Sequence, residues 1–270
     1  MKKIIAPTAF FLSILFLPFL CQAETVNLFA AGSLKAALGE ATKAFEQVSG
    51  NTVYSEFGPS GLLRQRIEKE GQAHIFASAN MEHPQALMNK GLGNSVVLFA
   101  RNNLCALAQP GLQITSTNLL EAMLDPNTRV GTSTPKADPS GDYAWELFKK
   151  ADEIKPGSFT LLSGKALQLT GGPESAKAPA GRNQYGWVME EKKADIFLTY
   201  CTNAVLAFKE VANLQLIQIP QELSVGADYG IIVLNGAPPE AWRLAMFILG
   251  TEGQKILAKH GFVVGGLPAQ

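Results

Sequence analysis

The sequence predicts an α/β protein of two lobes, each a mainly parallel sheet flanked by helices, with two crossover strands at the hinge. Two observations predict this fold. Short apolar runs alternate with segments of helical period through most of the chain, which is typical of parallel strands covered by helices. Two extended runs, at 96–108 and 214–219, interrupt the alternation, and the first exceeds the ~5–6 residues of a usual strand. We therefore predict that these runs pass between the lobes.

The first lobe is predicted to begin with alternating strands and helices. A strand at 25–30 leads into a helix whose apolar residues share one face, with Ser33 as its N-cap and Gly50 at its end. A second helix is predicted over 61–70, because Gly71 can end it. The other strands predicted before the first crossing lie at 53–57 and 74–78.

The remainder of the chain repeats this pattern. The turn-rich segment 171–181 lacks periodicity and is predicted to be a loop. We assign 24–101 and 214–270 to lobe I and 102–213 to lobe II, so that lobe I is built from both ends of the chain. The remaining predicted helices lie near 118–124, 141–151, 184–191, 239–249 and 252–260, and the remaining strands at 129–132, 195–200 and 229–234.

The N-terminal segment 1–23 has the features of a cleavable signal peptide. A basic start precedes an apolar run at 10–20, and Cys21-Gln22-Ala23 resembles a cleavage site. Leu20 stands where lipidation of Cys21 would require a small residue, which disfavours a lipoprotein. The apolar run is also short of the ~20 residues of a spanning helix. The mature chain is predicted to begin at Glu24, to be periplasmic and to insert into no membrane.

Charge and motif content exclude several classes of function. The chain has 23 basic and 23 acidic residues, and removal of Lys2 and Lys3 leaves a net charge of −2, which disfavours a nucleic-acid-binding surface. His74, His83 and His260 lack the spacing of zinc ligands, and the last two are predicted to lie in solvated or edge positions. No nucleotide-binding or nucleophile-elbow motif is present. We therefore expect neither an enzyme nor a bound cofactor.

Two cysteines remain after removal of the predicted signal peptide. Cys105 and Cys201 are predicted to form a disulfide, because an exported protein in an oxidising compartment commonly pairs such a couple. The two could instead be buried thiols that pack as small hydrophobic side chains.

Three serines lie where the chain enters a helix. Ser33 follows the first strand, Ser60 lies within Gly58-Pro59-Ser60-Gly61, and Ser140 lies within Asp138-Pro139-Ser140-Gly141. Helix N-termini offer unpaired N–H groups that bind a small anion without a countercharge, and a serine hydroxyl adds a donor. Each serine could instead serve as an ordinary helix cap.

Two further side chains are candidate ligands for an anion. Tyr200 ends a predicted strand, where an open α/β sheet presents side chains to the ligand crevice, and its hydroxyl can donate one neutral hydrogen bond. Arg182 follows the predicted loop and could bind a carboxylate or oxyanion with two parallel hydrogen bonds. The tyrosine could instead be a buried core residue, and the arginine an exposed surface residue.

These residues together resemble the periplasmic molybdate-binding proteins of ABC importers. The resemblance implies the two-lobed periplasmic-binding-protein fold, side-chain donors at Ser33, Ser60 and Tyr200, and backbone donors near Ser140 and Arg182. It implies molybdate or tungstate as the ligand, bound by a monomer that delivers it to an ABC permease in the inner membrane. It rests on the order and spacing of Ala31-Gly32-Ser33-Leu34, the Ser60 turn with Leu63-Arg64-Gln65, Ile75-Phe76-Ala77-Ser78-Ala79, Pro139-Ser140-Gly141-Asp142-Tyr143-Ala144, the Tyr200 strand and Gly250 to Phe262.

The sequence departs from that family's pattern at three places. The turn around Ser60 has fewer hydroxyl residues than is usual, Ser140 stands where alanine is usual, and Arg182 replaces a small aliphatic residue. An added hydroxyl and guanidinium could shift the preference to a different small anion held through Arg182. The same scaffold could also serve as an exported enzyme or as a sensory subunit of a membrane receptor, because fold does not fix function.

Overall fold

The computed structural model describes residues 25–265, and the predicted signal peptide at 1–23 lies outside the described residues. In chain order the strands are β1 (Thr25–Ala31), β2 (Thr52–Gly58), β3 (Ile75–Ser78), β4 (Gly93–Ala108), β5 (Val130–Ser133), β6 (Leu167–Thr170), β7 (Ile196–Tyr200), β8 (Gln215–Gln218) and β9 (Gly226–Leu234). The helices are α1 (Lys35–Ser49), α2 (Ser60–Glu70), α3 (Glu82–Asn89), α4 (Leu119–Leu124), α5 (Pro139–Ile154), α6 (Ser158–Lys165), α7 (Gln184–Glu190), α8 (Cys201–Glu210), α9 (Pro239–Leu249) and α10 (Thr251–Lys259).

Hydrogen bonds join the described strands into one continuous sheet that runs through both lobes. In the first lobe the order is β2-β1-β3-β9-β4, and in the second it is β8-β4-β7-β5-β6. β1 is parallel to β2 and β3, and β5 is parallel to β6 and β7. β4 and β9 run antiparallel to their neighbours. The predicted α/β fold, with helices flanking mainly parallel sheets, is confirmed.

β4 is the first of the two crossings that the sequence predicts. Its residues up to Asn103 pair with β9, and its last residues, from Leu104, pair with β7 and β8. The return crossing differs from the prediction, because β8 still pairs with the end of β4 and the chain returns to β9 only afterwards. The apolar pattern of 214–219 predicts a strand but does not identify its partner. We therefore propose that lobe I resumes after β8 rather than at residue 214.

Glycines end the first two helices as predicted. Gly50 and Gly71 have positive φ angles of 71° and 62°, and their amides bond back to carbonyls of the preceding turn. The prediction that Ser33 caps α1 is wrong. A short 3-10 turn over Gly32–Leu34 precedes the helix, and the Ser33 hydroxyl lies 2.9 Å from the hydroxyl of Tyr229 instead of at a backbone amide.

The sequence pattern does not predict α3, α6, β6 or α8. For α8 the reason is visible in the packing. Val205, Leu206 and Phe208 are each about two-fifths exposed, while Thr202 and Asn203 point inward and are buried. Apolar residues on the solvent side and polar residues on the inner side obscure the periodicity from which an amphipathic helix is predicted.

The predicted disulfide is confirmed. Cys105 in β4 and Cys201 at the start of α8 are bonded, with Cα atoms 4.8 Å apart. The bond joins residues 96 positions apart in the chain and fixes the start of α8 to the strand shared by both lobes.

Candidate functional site

A cleft of about 980 Å³ lies between the lobes. It opens at the carboxyl ends of the parallel strands, where ligands bind in open α/β sheets. Segments that follow β1, β2 and β3 form its first-lobe wall, and segments that follow β6 and β7 or precede α5 form its second-lobe wall. Of the predicted site residues, Ser33, Ser60, Arg182 and Tyr200 line this cleft, whereas Ser140 is not among the lining residues.

Ser60 is the first residue of α2 and is almost fully buried in the first-lobe wall. Its Oγ accepts a hydrogen bond from the amide of Ala79, at 3.1 Å. A hydroxyl that accepts one bond keeps its own proton for another partner. Ser60 is therefore able to donate a hydrogen bond to an anion in the cleft.

A chain of buried hydrogen bonds orients Ser33. The Nδ2 of Asn102, in β4, donates to the Thr202 hydroxyl at 2.8 Å and to the Tyr229 hydroxyl at 3.3 Å. Because its oxygen already accepts a bond, the Tyr229 phenol can donate to Ser33 Oγ, and this direction leaves the Ser33 proton for the cleft. Burial raises the pKa of Tyr229 far above its ordinary value, so this phenol stays protonated.

Tyr200 ends β7 and is buried at the floor of the cleft. Its hydroxyl donates to the carbonyl oxygen of Ala79 at 3.2 Å, and burial keeps the pKa of the phenol well above its usual value. A phenol has one proton, so in this arrangement Tyr200 offers an acceptor to the cleft. Ala79 thus joins Tyr200 of the second lobe to Ser60 of the first.

The two lobes also touch at the start of α2. The amide of Gly61 donates to the carbonyl oxygen of Ala137 at 2.9 Å. The contact leaves no room for a side chain, since a Cβ on Gly61 would overlap the carbonyl oxygen of Lys136 and lie 3.1 Å from the Cα of Ala137. Together with the bond between Tyr200 and Ala79, this contact defines a closed arrangement of the lobes.

The second-lobe wall presents a carboxylate in place of a free helix N-terminus. Asp138 is the N-cap of α5, and its Oδ1 accepts a bond from the Ser140 amide at 3.0 Å. Burial raises the pKa of Asp138 to about 6, although hydrogen bonds from the Ser140 amide and the Ser133 hydroxyl favour the ionised form. The Ser140 side chain is fully buried, and its Oγ has no hydrogen-bond partner among residues 25–265.

Arg182 lies at the end of the predicted loop, which the structure confirms as irregular. Its guanidinium pairs with Glu190 and Glu210, both at 2.6 Å, and these carboxylates raise its pKa further. Glu210 also accepts a bond from the amide of Asn183 at 2.8 Å. The positive charge predicted to attract an anion is thus balanced by two carboxylates of the chain itself.

Sequence reasoning did not identify several residues that line the cleft or that form the hydrogen bonds behind Ser33. Asp138 had a recognisable signal, because an aspartate directly before a proline is typical of a helix start. Tyr229 and Asn102 lie inside strands and carry no such signal. Lys35 and Lys177 also line the cleft, one on each wall, and neither forms a salt bridge with any other residue in the described part of the chain.

The histidines lie outside the cleft. His83 is predicted to lie in a solvated or edge position, but it is buried in the first turn of α3, and burial lowers its pKa to about 4. His260 pairs with Glu40 near the surface. No group of three or more metal-ligating side chains occurs among the residues that the structure describes.

The two lobes, the strand that crosses between them and the donor-lined cleft define the class of two-lobed receptors that bind a solute between their lobes. The chain belongs to the family of bacterial extracellular solute-binding proteins, whose family description matches residues 26–263. Such proteins serve ABC importers together with a membrane permease. In residues 25–265 no helix has the length and hydrophobicity needed to cross a membrane.

The chain is 37% identical over 241 residues to an uncharacterised protein of Pasteurella multocida, covering 88% of this chain and 98% of the relative. It is 25% identical over 252 residues to the molybdate-binding protein of Escherichia coli, covering 88% and 89%. Among solved structures, the periplasmic molybdate-binding protein of Azotobacter vinelandii superimposes with a TM-score of 0.70 at 16% identity, covering 89% and 99%. The last similarity supports the fold.

Proposed function

We propose that this solute-binding protein captures a small solute through an oxyanion group and delivers it to the permease. The observation that carries the proposal is that two hydroxyl groups in the first-lobe wall can each donate a hydrogen bond to a solute. Ser33 and Ser60 both line the cleft, and each is held by a bond that its oxygen can accept, so that its proton is available to the solute. A solute that contacts both lobes would bind the closed state more tightly than the open state. This difference in affinity would favour closure of the lobes.

Molybdate and tungstate are the first candidates for the solute. They are supported by the name of the relative from Escherichia coli and by the resemblance of the segments that contain Ser33, Ser60 and Tyr200. Selectivity over sulfate, which has the same charge and shape, would then depend on the size of the space between the donors.

An organic anion is the second candidate, and the size of the cleft favours it. The cleft measures about 980 Å³ although the lobes already touch, which is at the upper end of the roughly 300–1,000 Å³ of pockets for drug-sized ligands. Lys35 and Lys177, on opposite walls, could bind negative charges that lie farther apart than the oxygens of one tetrahedral anion.

Isothermal titration of the ligand-stripped mature protein with molybdate, tungstate, sulfate, phosphate and organic phosphates tests the proposal. We expect Ser60→Ala to weaken binding of whichever anion binds most tightly by roughly 10- to 100-fold, the usual effect of losing a hydrogen bond to a charged group. Ser95→Ala is the matched control, because Ser95 is exposed and lies outside the cleft. Equal affinities of the two variants would contradict the proposal, and so would the absence of binding by every anion.

The same titration tests the hydrogen-bond chain that orients Ser33. Tyr229→Phe keeps the ring but removes the hydroxyl that contacts Ser33, so we expect anion affinity to fall by about 3- to 10-fold, the range for a neutral hydrogen bond. Tyr54→Phe is the control, because the Tyr54 side chain is 57% exposed. If Tyr229→Phe binds like the unmodified protein, Ser33 is not oriented by this phenol.

A further inference from the structure

The second-lobe wall differs in chemistry from the first. On this wall the resemblance implied two backbone donors, near Ser140 and Arg182. The amides of Ser140 and Asn183 already donate to carboxylates of the chain, Asp138 and Glu210, and the Arg182 amide donates to the carbonyl oxygen of Pro179. The cleft therefore has hydroxyl donors on one wall and carboxylate acceptors on the other.

Asp138 is the carboxylate whose charge is not balanced. Glu210 pairs with Arg182, but Asp138 forms no salt bridge with any residue between 25 and 265. It lines the cleft, and Ala137, the residue before it, contacts Gly61 directly after Ser60. A solute held by Ser60 would therefore lie within reach of this carboxylate.

We infer, on the basis of the proposed function, that the solute is a small organic anion bearing hydroxyl groups, with its anionic group at Ser33 and Ser60 and a hydroxyl that donates to Asp138. Asp138 is then the residue that sets specificity. A hydroxyl satisfies the carboxylate, whereas a fully ionised inorganic oxyanion offers it no proton and is repelled by its charge.

The remaining charges and the available space agree with this class of solute. Three charged side chains line the cleft without forming a salt bridge in the described chain: Lys35, Lys177 and Asp138. Their summed charge is positive, so a net negative solute is favoured over a zwitterion. A cleft of about 980 Å³ holds an organic molecule that spans from the hydroxyls of the first lobe to the carboxylate of the second.

Two matched pairs of probes test the inference with the full mature protein at pH 7.5. One pair is glycerol 3-phosphate and propyl phosphate, and the other is glycerate and propionate. Within each pair the anionic group is the same and only one member carries hydroxyls. We expect the hydroxylated member of at least one pair to bind roughly 10-fold or more tightly than its partner, and more tightly than molybdate, tungstate or sulfate.

Asp138→Asn is the decisive variant. Asparagine is as good a helix cap as aspartate, so α5 is retained, while the charge is lost and half of the acceptor capacity is replaced by a donor. We expect the preference within the pair to fall to about 3-fold or less and the affinity for sulfate and molybdate to rise by roughly 10-fold. Asp152→Asn, at the other end of α5, is the control and should retain the preference.

The outcomes separate this inference from the proposed function. If molybdate or tungstate binds more tightly than every organic probe, and Asp138→Asn leaves that order unchanged, the inference is wrong while the oxyanion receptor stands. Equal affinities within both pairs also overturn the inference. If no anion binds, or if Ser60→Ala has no effect on any of them, the proposed function fails as well.

The pH dependence of sulfate binding gives an independent reading, because sulfate stays fully ionised throughout. Burial raises the pKa of Asp138 to about 6, so lowering the pH from 8 to 5 protonates this carboxyl and removes the repulsion. We expect sulfate affinity to rise by roughly 10-fold in the unmodified protein and to stay nearly constant in Asp138→Asn; a rise of equal size in both would contradict the assignment. The other ionisable groups around Asp138 or lining the cleft are Asp142, Tyr185, Tyr200, Tyr229, Lys35, Lys177, Arg182 and Glu210.

Discussion

Replacement of Gly61 by alanine is expected to reduce solute affinity by up to roughly 100-fold. The added Cβ would overlap the carbonyl oxygen of Lys136 and lie 2.9 Å from that of Ala137, both of which belong to the opposite lobe. Overpacking of this kind typically costs about 1–3 kcal/mol. Because the clash lies between the lobes, the chain can relieve it by opening the cleft, and the open state then competes with binding.

Titration calorimetry gives the affinity, and small-angle X-ray scattering measures the opening as a larger radius of gyration. Gly39→Ala is the matched control, because a Cβ at Gly39 has nothing within 4 Å and alanine is favoured inside a helix. We expect that variant to bind and scatter like the unmodified protein. Unchanged affinity in Gly61→Ala would mean that the lobes do not need this contact to hold the solute.

Removal of the disulfide is expected to lower the free energy of unfolding by about 4–5 kcal/mol. Cys105 and Cys201 are 96 residues apart, and a bond that closes so long a loop restricts the unfolded chain strongly in the chain-entropy model. The measurement is urea unfolding of Cys105→Ala/Cys201→Ala beside the unmodified protein. A loss of this size is a large part of the usual 5–15 kcal/mol of a folded domain.

The reduced protein provides the control for this second prediction. Dithiothreitol should destabilise the unmodified protein by about the same amount as the double substitution, and should leave the double variant unchanged. If the double variant unfolds within about 1 kcal/mol of the unmodified protein, the unfolded chain is already restricted by residual structure, and the loop-closure argument does not apply.

Local patterns were sufficient to predict many elements of the fold. The helix now seen as α1 has its apolar residues on one face, and Gly50 ends it because only glycine readily adopts the left-handed conformation found there. The long run at 96–108 was identified as a crossing from its length alone. By contrast, the apolar pattern at 214–219 does not predict that β8 pairs with the end of β4, because strand partners lie far away in sequence.

The residues of the candidate site also fall into two groups: those that their position in the sequence predicts, and those that only the fold brings together. Ser60 and Tyr200 could be proposed from their positions at the ends of predicted elements, and both line the cleft. The partners that decide which proton each hydroxyl offers, such as Tyr229 for Ser33 and Ala79 for Tyr200, come from distant parts of the chain. Arg182 was predicted as a positive group for an anion, and only the fold brings Glu190 and Glu210 against it.

The sequence by itself determined the α/β class, the crossing at 96–108, the cysteine pair and the hydroxyls at the starts of helices, because these depend on composition, period and spacing along the chain. Only the tertiary structure decided the chemistry of the second-lobe wall. The side chains of Asp138 and Asn183 cap α5 and α7 locally, but only the fold brings Glu190 and Glu210 against Arg182 and so removes its charge from the cleft. Hydrogen-bond partners and net local charge are properties of neighbours in space, and these neighbours are fixed by the packing of the lobes.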